Sequence, residues 1–199
     1  MKFLMRIAAI VLAFGITGAH AQSAALTDDE IAVVVRAYSL TRMGGPEKTI
    51  ILPVETANFV CTGDSGVKLG GCSGAMRTAK IQPDEVVGWI SKEFSAVASP
   101  ELIAEFRSKA QYSARVTQPL PIEIKQIIGE PPRSDDAGRP YLLLDFSRVA
   151  FNPAKTEALV YLASVSQVDP KRSFGEYLCF RLDDKVWKLA ARARNWALK

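Results

Sequence analysis

The chain has 199 residues, with 25 Lys and Arg against 21 Asp and Glu and a formal charge of +4. That length suits one domain whose core stands without staples, and so small a charge gives no basic surface of the kind that tracks nucleic acid. The single histidine is His20; it falls in the leader described next, so the mature chain lacks Ser-His and Cys-His nucleophile pairs, histidine metal ligands and histidine acid–base chemistry.

Residues 1–21 read as a secretory signal peptide. Lys2 and Arg6 lead into the apolar run 7–16, and Ala19-His20-Ala21 is a small-x-small triplet, which places the cut between Ala21 and Gln22. The run is too short to span a bilayer and no second one follows, so the mature chain is expected to hold no integral membrane segment. The expected location is the periplasm or the medium. Cleavage removes Lys2 and Arg6, and half of the formal charge goes with them.

The first helix is announced by Thr27-Asp28-Asp29-Glu30, a capping box, followed by Ile31, Val34, Val35 and Tyr38 at helical spacing and stopped by Gly44-Gly45-Pro46. Residues 48–56 are rich in β-formers. Pro53 cannot donate to a ladder, so this strand is expected at a sheet edge or at a bulge. A long Gly-rich excursion, 58–80, holds Cys61 and Cys72. In an oxidising compartment these two are the expected disulfide, because the loop between them folds back readily. Cys179, the third cysteine, is either a buried thiol or a competitor for one of them. Two thiolates without further Cys or His make a poor zinc set, so no metal is expected.

Pro83 opens a second helix with Val86, Trp89, Ile90 and Phe94 on its apolar stripe. Ser99-Pro100-Glu101 opens a third with Leu102, Ile103, Phe106 and Ala110. Residues 122–128 alternate and predict a strand; 129–140 predict a polar loop. From 141 to 196 four apolar-rich runs alternate with turn signals, the pattern of an antiparallel meander. Its second run, 157–168, is apolar on both phases, which predicts cover on both faces: helices on one, and a loop, ligand or second subunit on the other. The expected class is α+β, residues 22–199 forming one domain with N-terminal helices packed on one face of a C-terminal antiparallel meander.

Ser147-Arg148-Val149-Ala150-Phe151-Asn152, then Thr156-x-Ala158-Leu159-Val160-Tyr161 and a later strand with Trp187, resemble a set of uncharacterised small secreted bacterial α+β proteins. Their pattern runs S-R-V-G-F-N, T-x-A-L-V-Y, then a Gly-x-Tyr hairpin with a Trp. The likeness covers about the last third of the chain. Ala150 stands where Gly is usual, and the turn at 169–174 lacks the cysteines often found there. The set brings no established activity, so the likeness implies no catalytic residue. At the level of layout alone the chain also resembles the nuclear-transport-factor-two or ketosteroid-isomerase-like cone, which implies nothing about function.

Two constellations carry candidate chemistry. The last strand is expected to place Trp187, Leu189, Ala191 and Ala193 on one face and Lys188, Arg192 and Arg194 on the other, and with Arg181 on the adjoining strand this basic strip can contact an anionic group; a solvated sheet face produces the same alternation. Asp145, inside a strand, can act as an acid or base with Tyr161 or Tyr177, as in an isomerase-type site; a pair with Arg148 or another arginine is the plainer explanation. The Asp pairs 28–29, 135–136 and 183–184 fall at a helix cap, a loop and a turn, where backbone reasons suffice. The leading expectation is an exported, non-enzymatic binding or protein-interaction module without a cofactor. Its partner would be a protein or small molecule, and a second copy can pack through the sheet. The alternative is a small histidine-free isomerase or lyase.

Overall fold

The computed structural model describes residues 24–41, 47–56, 83–109, 112–129, 140–166 and 168–197. The expected signal peptide, the Gly-rich excursion with Cys61 and Cys72, and the Asp135-Asp136 pair lie outside them. Among the described residues three α-helices, α1 (Asp28–Thr41), α2 (Pro83–Glu93) and α3 (Pro100–Lys109), accompany seven strands: β1 (Thr49–Leu52), β2 (Lys125–Ile128), β3 (Tyr141–Phe146), β4 (Ala150–Phe151), β5 (Glu157–Ser166), β6 (Phe174–Asp183) and β7 (Val186–Ala197). They form one sheet of order β2-β1-β3-β5-β6-β7, with β4 pairing β5 beside β3. The class is α+β, and the sheet is mostly antiparallel.

The capping box forms as its residues dictate. The Thr27 amide donates to Glu30 Oε2 at 3.0 Å, and the Glu30 amide donates to Thr27 Oγ1 at 3.3 Å. In α3 the Leu102 amide donates to Ser99 Oγ at 3.3 Å, while the Ser99 amide donates to the Glu157 carboxylate at 3.0 Å, which ties the helix start to β5. The β6–β7 hairpin closes through Asp184 and Lys185, both at positive φ (48° and 63°), the two-residue geometry whose twist suits the flanking strands.

Three expectations are corrected. β1 is an interior strand, parallel to both β2 and β3, with all four residues buried. Pro53 follows the last paired residue, so its missing N–H interrupts nothing. The alternation at 122–128 yields a strand only from Lys125. Before it the Gln126 side-chain amide accepts from the Leu120 N–H at 2.8 Å and donates to the Leu120 carbonyl at 2.7 Å, which curls the chain. Finally, the helices occupy both faces of the sheet. Ile31, Val34 and Tyr38 of α1 pack with Leu144, Phe146, Val160, Leu162, Leu178 and Phe180. Ile90 and Phe94 with Leu102 and Phe106, from the α2–α3 unit, pack with Leu159, Tyr161, Tyr177 and Cys179. β5 is thus apolar on both phases because helices cover both of its sides.

The stretch 147–157 is a structural joint. β3 and β4 pair with different parts of β5, and Ser147 bridges the gap. Its hydroxyl accepts the Tyr161 N–H at 3.0 Å and donates to the Arg148 carbonyl at 2.8 Å. Arg148 Nε reaches Glu30 Oε1 at 3.2 Å, joining the joint to the cap of α1. Asn152 Oδ1 accepts the amides of Thr156 and Glu157 at 2.8 and 3.0 Å, closing the turn. Asn152→Ala is expected to cost about 1–2 kcal/mol, since both amides lose their acceptor; urea unfolding checks it.

Candidate functional site

The register of β7 decides what the basic residues can do. β6 and β7 pair Cys179 with Ala191 but Phe180 with Leu189, so Ala190 is an extra residue in β7. One extra residue sends the side chains that follow it to the opposite face, here as far as Arg194, after which the register shifts a second time between Glu176 and Gly175. Trp187 and Leu189 accordingly pack with the α1-side core, whereas Ala191 and Ala193 pack with the α2–α3 core.

The single basic strip is therefore corrected to two separate groups. Arg181 pairs across the sheet with Lys188. Arg181 Nη2 donates to the Val97 carbonyl at 3.1 Å, beside the α2–α3 connection, and Lys188 forms an ion pair with Asp183 at the hairpin. Both are exposed and tied locally. Arg192 and Arg194 emerge on the α1 side instead, cross-strand from Leu178 and Glu176.

Glu176 is the residue that sequence reasoning missed. It is 1% exposed, and its Oε2 has no hydrogen-bond partner. Arg192 Nη1 lies 3.9 Å from that oxygen, beyond hydrogen-bond reach, while the Arg194 guanidinium sits 5.8 Å from the centroid of the Phe174 ring. Burial raises the Glu176 carboxyl above its ordinary range, and the two guanidiniums oppose that shift. The Gly-Glu-Tyr phasing puts Glu176 in line with Leu178 and Phe180, two buried apolar positions; an acid on a buried phase was the available signal.

Asp145 lies 6% exposed on β3, with Ala163 opposite it, and its phase places it on the α2–α3 face with Tyr161 and Tyr177. The two tyrosines are a cross-strand pair with ring centroids 5.0 Å apart, and Trp89 and Phe106 also pack on Tyr177. The structure thus gathers all three on one face. Arg148 goes to Glu30, so the arginine partner considered for Asp145 is spent elsewhere. Burial pushes the Asp145 carboxyl well above the carboxylate range against the opposing hydrogen bond of the Phe146 amide. It pushes the Tyr177 phenol up as well, with Tyr161 adding to the effect. A carboxyl held neutral donates a hydrogen bond but is a poor base.

Cys179 is a free, buried thiol on this same face. Burial first, then the nearby Glu157 carboxylate, push it up to about 12 against the lowering influence of Arg181. It is a packing residue and not a nucleophile. Native protein at pH 8 should leave Cys179 unmodified by a thiol reagent that labels it fully in urea; rapid native labelling would contradict its burial.

Among the described residues, no three of His, Cys, Asp and Glu are grouped to hold a metal, and no helix is long and apolar enough to cross a membrane. No protein-family model, no curated protein and no solved structure matches the chain. The resemblance noted in the sequence therefore rests on its own residues, and Ser147, Arg148 and Asn152 each make contacts that build the joint.

Proposed function

We propose that the protein is an exported, non-enzymatic binding module whose ligand meets the α1 side of the sheet at Glu176, Arg192 and Arg194. The observation that carries this reading is a buried carboxylate oxygen without a donor, set beneath two arginines at the sheet margin. Such an oxygen costs roughly 1–3 kcal/mol when unpaired, and a bound group carrying a donor relieves that cost. The remaining reactive side chains support the reading, because the Cys179 thiol is raised to about 12 and no histidine follows residue 20.

A second subunit is not needed to cover β5, since α2 and α3 already lie on the face for which one was invoked. The Arg192→Ala/Arg194→Ala double variant should abolish ligand-induced thermal shifts that an Arg181→Ala/Lys188→Ala double variant retains; the reverse pattern would move the site to the hairpin. In the exported protein Cys61 is expected to be linked to Cys72, which mass spectrometry of non-reduced peptides reads directly.

The isomerase or lyase reading has one observation in its favour, the convergence of Asp145, Tyr161 and Tyr177 on one buried face. Its chemistry would run through a protonated Asp145 as hydrogen-bond donor, and Asp145→Asn would then retain substrate binding while lowering turnover.

A further inference from the structure

We infer that the group recognised at this site is the zwitterionic head of an α-amino acid, an ammonium received by Glu176 and a carboxylate received by Arg192 and Arg194. The inference rests on the binding-module reading and names its ligand class. Glu176 and Arg194 are direct cross-strand neighbours, and the bulge at Ala190 brings Arg192 to the same face. The charges are layered: the acid is 1% exposed, while the Arg192 side chain is 44% exposed. A purely anionic ligand would bring its charge toward the buried carboxylate and leave Oε2 without a donor. A purely cationic ligand would have to pass two guanidiniums. A molecule carrying an ammonium and a carboxylate on one carbon meets each with its opposite, and its N–H groups supply the donor that Oε2 lacks. Arg192 forms a loose ion pair with the acid, 3.9 Å away and beyond hydrogen-bond reach, so its donors are not committed to Glu176 by a hydrogen bond.

Neighbouring residues suit the same ligand. Phe174, itself buried, lies under Arg194 and lends the guanidinium an aromatic face. Ser164 is buried opposite Phe174 on β5. The second acid–base cluster on this side, Glu47 with Arg172 and Ser166, is already closed on itself. Arg172 Nη1 donates to Glu47 Oε2 at 3.0 Å, and the Ser166 hydroxyl donates to Oε1.

The test is calorimetric titration of the full mature protein with the twenty common L-amino acids, followed by comparison of the tightest with its deaminated and decarboxylated analogues. The zwitterion should bind at least about tenfold more tightly than either analogue, one missing charge-assisted contact being worth about 1.5–3 kcal/mol. Glu176→Gln should lose that preference while binding the deaminated carboxylate at least as tightly as before, and circular dichroism establishes that the variant is folded. Equal affinity for the zwitterion and the deaminated acid would overturn the inference and leave an anion-binding module standing. An unchanged amino-acid affinity in Glu176→Gln would overturn it in the same way. Absence of heat with all twenty and with both analogue series would remove the zwitterion and the α1-side site together.

Discussion

Replacing Arg148 with Ala is expected to lower the unfolding free energy by about 3 kcal/mol or more, the cost of stranding a buried charge. Glu30 is fully buried and serves three donors, the Thr27 amide, the Thr27 hydroxyl and the Arg148 guanidinium. Without Arg148 its charge faces the core of α1 uncompensated. Adding Glu30→Gln to the Arg148→Ala background should recover part of the loss, because the amide keeps an acceptor for the cap and carries no charge. The exposed pair Lys155–Asp29, on the same joint, is the control: Lys155→Ala should change stability by no more than about 0.5–1 kcal/mol. Urea unfolding with an unchanged m-value reads all three. An Arg148→Ala protein as stable as the parent would mean that α1 is not anchored through this pair.

The second large effect is a dependence of stability on pH that runs opposite to that of a protein held by paired carboxylates. Burial holds both Asp145 and Glu176 above their ordinary values. A carboxyl raised in the folded state binds its proton more tightly there than in the unfolded chain, where it titrates near 4. Its contribution is complete below that pH and is lost as pH rises through the folded value. Between about pH 4 and the folded values, stability from these two groups therefore falls as pH increases. Glu47 works in the opposite sense. Burial alone would raise its carboxyl, but hydrogen bonds from Ser166, its own amide and Arg172 together hold it low, so its contribution is lost on acidification. Asp145→Asn isolates the first effect. The variant should match the parent near pH 4 and exceed it by about 1–3 kcal/mol at pH 8, where the parent must bury a charge or hold a proton against the solvent. A variant less stable than the parent at pH 8 would show that ionised Asp145 has a partner and is not simply desolvated.

Local signals in the sequence were reliable where the structure is local. The cap of α1 is closed by residues three apart, and α2 and α3 begin at Pro83 and Pro100 because proline's fixed φ and missing N–H suit a first turn. Side chains alternate between the two cores along β3, β5 and β6 as a regular strand requires, because β5 pairs with β3 and with β6 without slippage. The misreadings came from long-range geometry. The run Ile50-Ile51-Leu52, apolar on both phases, already argued for an interior strand, yet Pro53 drew attention to an edge. β5 announced that both faces were covered, but not that α2 and α3 supplied the second cover, since that depends on where the chain returns after β1. The bulge at Ala190 was the least visible feature. Leu189-Ala190-Ala191 offers small apolar residues on both phases, so the alternation around it reads as continuous while the faces exchange. That one residue separates Lys188 from Arg192 and Arg194 and brings the latter two to Glu176.

The proposed recognition surface lies on the α1 side of β6 and β7, assembled by that bulge. Backbone-amide NMR of the protein, recorded while the tightest-binding amino acid from the titration panel is added, locates it residue by residue. The expected shifts saturate together and centre on Phe174, Glu176, Arg192 and Arg194, with the amides of Asp145, Tyr161, Arg181 and Lys188 unmoved. Shifts centred on Asp145 and Tyr161, or on the Arg181–Lys188 hairpin, would contradict that placement.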